Sequence, residues 1–334
     1  CLLYSWLESD GISDSGSDFE LELKTTKRKR LAKRSPVWKH AHALCATPDF
    51  ALRCNPLSLF LHTSRHPRGS DAKHHRPVRE RREGGTVVDE LLDCYKEDQQ
   101  AGLLELINFV VLTCSCKGMV TKEMFESMEN AYIICQLTKE FNEDSPSYPL
   151  SLVGVRGRRF REGLTEFVSQ LVLRSQNSLL FDGYLFPSLV SFLTGLSDSQ
   201  VRSFRHTSTF TVMKLMSALM GVAVSVATQL DVNRRQWDLE RSKTVESRAV
   251  DRLEELQTLH NELLEGQTEL NLLVNSIIKG VFVHRYRDIV PEVRVVCMEE
   301  LGVWIFRNPA TFLNDAHLKY LGWMLHDKVG GRSG

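Results

Sequence analysis

From Val87 onward, apolar residues recur at intervals of three and four rather than in alternation. Val88, Leu91, Leu92, Leu103, Leu104, Leu106, Ile107, Val110 and Val111 open the pattern. That is the spacing of one face of a helix turning every ~3.6 residues. The same periodicity predicts helices over 121–142, 159–175, 180–196, 200–230, 234–279, 288–306 and 311–326. Punctuation falls at Cys116-Lys117-Gly118, Ser145-Pro146-Ser147, Gly154 to Gly157, Pro187 and Gly195. No alternating run is long enough to require a sheet, so an all-α body is expected.

Two helices have distinctive patterns. Leu215–Leu230 reads "LMSALMGVAVSVATQL", uncharged but short of the about 20 apolar residues that a spanning helix needs. Burial on several sides within a helical stack is the expectation, with no membrane involved. The stretch "DRLEELQTLHNELLEGQTELNLLVNSII" places Leu253, Leu256, His260, Leu263, Gln267, Leu270, Val274 and Ile277 in a 3-4 seam. Two polar seam residues disfavour a free coiled-coil dimer, and antiparallel packing on the 200–230 helix is expected instead.

A repeat shows in the order of these helices. "LSDSQVRSFRHTSTFTVMKLM" and "YRDIVPEVRVVCMEELGVWI" each place an Asp in a turn, then Val-Arg near a helix start, then an amphipathic helix. A third unit opens at "LHDKV". Such pairs fit HEAT-type units, which bury their faces only by stacking into an α-solenoid. Cationic Arg202, Arg205 and His206 oppose the helix dipole at the start of their helix. Arg202 is expected to reach a turn Asp and join a ladder between units, with Arg205 and His206 facing outward.

Charge adds a second region. Residues 1–86 carry an excess of Lys and Arg, whereas the remainder is mildly acidic, within a chain of 334 residues and zero formal net charge. Residues 24–34, "KTTKRKRLAKR", hold Lys27, Arg28, Lys29, Arg30, Lys33 and Arg34 with no acid. This arm is expected to be disordered and to serve nuclear import or nucleic-acid contact. The chain starts at Cys1, which suggests a fragment or an incomplete gene model. The organisation expected is a basic, His/Pro-rich arm over 1–86 and helical domains over 87–197, 198–280 and 281–327, then a tail over 328–334.

Candidate chemistry is sparse. Eight cysteines are scattered through the chain, and Cys114-Ser-Cys116 lacks a matching pair, so reduced buried thiols are expected and metal is not. Neither G-x-G-x-x-G nor G-x-x-x-x-G-K-[ST] occurs, and no Cys/His/Asp order suggests a nucleophile. Neither a catalytic site nor a cofactor is expected. Arg158, Arg159 and Arg161 form a basic cluster suited to nucleic-acid phosphates, with Arg205 and Lys214 as its extension.

Several long stretches carry a resemblance: "VVDELLDCYKEDQQAGLLELINFVVLTCSCKGMVTKEMF", "FNEDSPSYPL", "LTGLSDSQVRSFRHTSTFTVMKLMSAL", "KGVFVHRYRDIVPEVRVVCMEELGVWIF" and "FLNDAHLKYLGWMLHD". Over Val87 to Asp327 the sequence resembles the stromal antigen family of cohesin subunits, most closely its meiotic branch. The resemblance implies a non-enzymatic HEAT-repeat scaffold in sister-chromatid cohesion, located in the nucleus on chromatin. It implies binding to the kleisin subunit, to DNA and to aromatic-containing regulator peptides, with the ring ATPase subunits contacted indirectly. It also assigns Tyr286, Asp315, Lys319 and Trp323 to the surface that receives those peptides. Residues 41–86 match nothing recognised in the family, and "LVGVRGRRFREGL" departs from its usual form. A generic HEAT adaptor in nucleocytoplasmic transport and a truncated, non-functional relative are the alternatives.

Overall fold

The computed structural model describes residues 84–141, 147–244 and 249–327. The basic run at 24–34, nearly all of the arm and the 328–334 tail lie outside the described residues. Among those described, every regular element is helical. The helices are α1 (Gly84–Glu97), α2 (Gln99–Thr113), α3 (Lys122–Ser127), α4 (Asn130–Glu140), α5 (Gly154–Ser175) and α6 (Leu185–Ser197). They continue as α7 (Arg202–Ser242), α8 (Val250–Ile277), α9 (Pro291–Arg307), α10 (Pro309–Phe312) and α11 (Asp315–Met324). A π-helical turn, Ile278–Phe282, and one further helical turn, Val283–Arg285, prolong α8.

The expected helices exist, with several shifted boundaries. The block that opens at Val88 divides at Asp98, whose carboxylate accepts the Gln100 and Ala101 N–H groups (3.0 and 3.2 Å) and starts α2. The 121–142 block likewise divides, into α3 and α4. The helix expected to end near residue 230 runs on to Ser242, because Asp231–Ser242 contains neither Gly nor Pro and is rich in helix formers. The helix expected from 234 begins only at Val250, the 311–326 block divides between α10 and α11, and α5 begins at Gly154 rather than at 159. Gly157 therefore lies inside the helix, where a Cβ would sit 1.7 Å from the Leu152 carbonyl oxygen.

Helix α7 is the axis of the stack, with α5, α6, α8 and α9 packed around it. Every residue from Ser203 to Met213 is buried. The polar ones survive there partly because Ser208, Thr209 and Thr211 return their hydroxyls to the carbonyls of Phe204, Arg205 and Thr207. Length and apolarity alone would let α7 cross a membrane, yet 61% of its apolar window is buried by its own neighbours. Beyond Gly221 its buried residues thin to Val222, Val226, Asn233 and Glu240, a one-sided seam. The α8 seam faces it, buried at Leu256, Leu270, Val274 and Ile277 and half-buried at Leu253, His260, Leu263 and Gln267. The expected long helix pair is thus present, closed at its tip by Glu240, which accepts the Ala249 N–H (3.0 Å).

Two glycines give opposite expectations. Gly157→Ala should destabilise by about 1–3 kcal/mol through forced separation from Leu152. Gly221→Ala, where nothing lies within 4 Å of the added carbon, should stabilise by about 0.5–1 kcal/mol. Urea unfolding followed by circular dichroism measures both.

Candidate partner-binding surfaces

Two arginines at the same helical position join the repeats. Arg205 is the fourth residue of α7 and Arg294 the fourth of α9. Each guanidinium reaches back to two carbonyls of the turn before its own helix. Arg205 bonds those of Ser199 and Gln200 (2.9 and 3.3 Å), and Arg294 bonds those of Asp288 and Ile289 (2.7 and 3.4 Å). Each also pairs with the aspartate of the next turn. Arg205 Nε lies 3.0 Å from Asp288, and Arg294 Nη2 donates to Asp327 at 3.0 Å. Arg285 adds a link from Asp288 (3.0 Å) to Asp198 (3.1 Å), and Asp288 also accepts the Val290 N–H at 2.8 Å.

The ladder expected from the turn aspartates is real, but its register differs by three residues. Arg205, not Arg202, matches Arg294. Arg202 lies near the surface and pairs with Glu292 at 2.9 Å. Burial corrects two members of the proposed nucleic-acid surface. Arg205 is 5% exposed and committed to the ladder, so it presents no cation to solvent. Lys214 pairs with Glu300, which also binds Ser217. Trp304 Nε1 and Arg307 then bond the Ser217 hydroxyl and carbonyl (2.7 and 3.1 Å), so this group fastens α9 to α7.

His206 also points inward. Its Nδ1 shares a 2.8 Å hydrogen bond with the Tyr148 hydroxyl. Burial pushes its pKa down to about 4, so the ring is neutral at pH 7. The expected thiols are partly confirmed. Cys114, Cys116 and Cys297 are buried, and burial raises each pKa, whereas Cys135 is exposed. Among the described residues no group of three or more His, Cys, Asp or Glu is placed to hold a metal.

The arginine cluster occupies the first two turns of α5. Arg156 and Arg158 are exposed, and Arg158 lies 4.0 Å from Glu162 across one turn. Arg159 and Arg161 are half-buried, and Arg161 donates weakly to the Leu150 carbonyl (3.4 Å). No side chain caps this helix, so its first N–H groups add to the cationic field. Arg156 was not among the candidates, because Gly154 to Gly157 read as a turn.

The four peptide-surface candidates come together around an aromatic column. Trp323 stacks on Tyr286 (ring centroids 6.2 Å apart, 26°), and Tyr320 meets both edge-on at 5.6 and 4.9 Å. Phe282 lies beneath, against Tyr286, Tyr320 and Trp304. Exposure separates the roles. Trp323 is 56% exposed and Tyr286 only 7%, so a single aromatic face opens outward, supported by the other. Lys319 holds its Nζ 5.1 Å from the Tyr320 ring and 5.6 Å from that of Trp323. Asp315, exposed at the start of α11, completes the Asp315–Lys319–Trp323 stripe at four-residue spacing. Tyr320 and Arg287, whose guanidinium lies 6.0 Å from the Tyr286 ring, were missed. Helical phase set from Trp323 would have placed Tyr320 one turn away.

Known proteins supply the family. A STAG domain matches residues 146–259 and a stromalin conservative domain residues 287–331. Cohesin subunit SA-3 of Rattus norvegicus is 45% identical over 331 residues, covering 97% of this chain and 25% of that protein. Since that alignment takes in most of residues 1–86, the expectation that 41–86 match nothing in the family is corrected. The Mus musculus SA-3 subunit is 52% identical over 243 residues (73% of this chain, 20% of that protein). The Xenopus laevis SA-1 subunit is 49% identical over 244 (73% and 19%). The chain thus spans about a quarter or less of the length of these relatives. The structure of cohesin subunit Scc3 from Z. rouxii aligns with a TM-score of 0.67 at 23% identity, over 75% of this chain and 30% of that one, and supports the helical solenoid alone.

Two outcomes test the packing. Asp288→Ala should cost about 3–5 kcal/mol, since it strands buried Arg205 and Arg285. Arg202→Ala should cost less than about 1 kcal/mol in the same urea titration, because its pair is exposed. His206 gives a pH signature. Its folded pKa lies below the unfolded value, so the unfolded chain binds the proton first, and stability falls as pH drops from 6.5 toward 4. His206→Asn should flatten that part of the stability profile; an unchanged slope would assign it to other groups.

The STAG domain, the stromalin conservative domain and the identity to SA-type subunits agree on one conclusion: this chain belongs to the stromal antigen family of cohesin subunits.

Proposed function

We propose that this chain is a scaffold segment of a cohesin complex, without catalytic chemistry of its own, acting on chromatin in the nucleus. Its relatives are named cohesin subunits, and the same work is assigned to a stretch about a quarter of their length. The identity to SA-3 subunits favours the meiotic form. The kleisin is the direct partner, and the ring ATPase subunits are reached through it.

One observation carries the regulator-peptide part of this reading. An indole is held more than half exposed while its neighbours Tyr286 and Tyr320 are buried beneath it. An exposed ring resting on buried aromatic support has the form of an interface anchor, with large contact area and one polar handle. Trp323 offers a flat ring for a peptide aromatic. Lys319, which lies against two rings rather than a carboxylate, meets a flanking acid of the peptide, and Asp315 meets a flanking cation. Nucleic-acid backbone is assigned to Arg156, Arg158, Arg159 and Arg161 at the start of α5, where charge and free N–H groups both favour phosphate.

A kleisin pulldown with the full chain tests the scaffold role, and failure to recover the kleisin would contradict it. Trp323→Ala should weaken an aromatic-containing peptide by at least about tenfold while helix content is unchanged, as expected for an exposed anchor. Reversing Arg158, Arg159 and Arg161 together should lower duplex DNA affinity and flatten its salt dependence by up to about three charges. Equal DNA binding by the reversed protein would remove that surface from the proposal.

A further inference from the structure

The α7–α8 hairpin presents an exposed strip along one side of its seam, the shallow groove between the two helices, separate from the arginine cluster and the aromatic column. In an antiparallel helix pair, positions one residue before the buried seam open to the same side on both helices. On α7 those positions include Val232 and Leu239, before Asn233 and Glu240, with exposed Gln229 and Gln236 before half-buried Leu230 and Trp237; on α8 they include Glu255, Glu262 and Glu269, before Leu256, Leu263 and Leu270, with Arg252 before Leu253. Leu259, before seam residue His260, joins them. Val232, Leu239 and Leu259 are 45, 68 and 44% exposed, an apolar strip on a hairpin tip otherwise rich in charged residues. The inner end of the groove is already filled. Gly266, also one before the seam, lies under the ring of Phe181, which a Cβ there would meet at 3.3 Å. The groove thus accepts apolar side chains where the chain supplies one and stands open beyond it.

Charge identifies the occupant. The α8 wall bears Glu255, Glu262 and Glu269, all exposed, with Arg252 paired to Glu255 (3.0 Å). The α7 cations Arg234 and Arg241 come one residue after the seam and so open to the opposite side, where Arg241 covers Trp237 at 4.9 Å. One side of the hairpin tip is therefore uncharged and partly apolar along α7 and largely anionic along α8. We propose that this groove receives a cationic amphipathic helix of a partner protein, its leucines set against Val232, Leu239 and Leu259 and its lysines over the α8 glutamates. The groove's acidity makes nucleic acid and anionic membrane poor occupants.

The probe is a fluorescent synthetic peptide of about 18 residues, with Leu on one helical face and Lys elsewhere. It is titrated into the full chain and read by anisotropy, beside a scrambled peptide of equal composition. The patterned peptide should bind at least about tenfold tighter than the scrambled one. Leu259→Ser and the Glu255→Gln/Glu262→Gln pair should each weaken it about five- to tenfold. Leu264→Ser, one after the seam and 48% exposed on the far side, should leave it unchanged. All are exposed positions, so helix content and melting temperature should hold, and Trp323→Ala should not affect this binding. Equal affinity for the scrambled peptide, equal loss with Leu264→Ser, or no response to Leu259→Ser would overturn the proposal. So would sedimentation showing that the groove is covered by a second copy of the chain, with Leu239→Ser dissociating it.

Discussion

Asp288 is where the stack is tied together. Its buried carboxylate receives Arg205 from α7, Arg285 from the end of the α8 extension, and the Val290 N–H of its own turn. Removing such charges from water costs several kcal/mol each, and attraction offsets that only when the remaining donors and acceptors are also satisfied. The Ser199 and Gln200 carbonyls take up further Arg205 hydrogens and Asp198 takes up an Arg285 hydrogen, leaving the buried Arg285 Nε without a partner. Two turns of chain, 87 residues apart between Asp198 and Arg285, are thereby held at one point. Apolar packing alone does not give such specificity, since a seam of leucines tolerates sliding far better than a forked guanidinium does.

The same knot of charges sets the geometry of the aromatic column. The Asp288 turn sits directly after Tyr286, and the next rung, Arg294 to Asp327, closes the turn just past Trp323. The two rings of the stack are therefore each placed by a neighbouring ion pair. The π-helical turn at Ile278–Phe282 adds to this, because it shifts the helical phase that brings Phe282 and Tyr286 under Tyr320. Rigid support beneath an exposed anchor limits the entropy lost when something binds there. The hairpin tip lies outside this tied region, and there α7 is held chiefly by its seam with α8.

Much of this was legible in the sequence because helices announce themselves by period. The α8 seam was readable residue by residue, since a 3-4 spacing leaves one register for an amphipathic helix. The Asp315–Lys319–Trp323 stripe was likewise fixed by four-residue spacing once α11 was placed. Helix ends were harder. Asp98 starts α2 through a local side-chain cap, and Gly157 continues α5 for the sake of a close backbone contact that only the folded chain reveals. The ladder register failed for a related reason. Two Val-Arg pairs matched as letters, yet Ser199 stands where Asp288 stands in the next unit, so the matching arginine lay three residues further along. Arg205, His206 and Lys214 looked like surface charges because sequence gives residue type without burial. Each is held inside by a partner at least 58 residues away, a separation no local pattern records.

The most direct test is a double-mutant cycle between Arg205 and Asp288, using Arg205→Met, Asp288→Asn and the pair, with unfolding free energies from urea titrations. A coupling energy of about 2 kcal/mol or more is expected for a buried pair at 3.0 Å that organises its surroundings. Additive losses, with coupling below about 0.5 kcal/mol, would show that apolar packing sets the stacking by itself and would contradict the role given to the ladder.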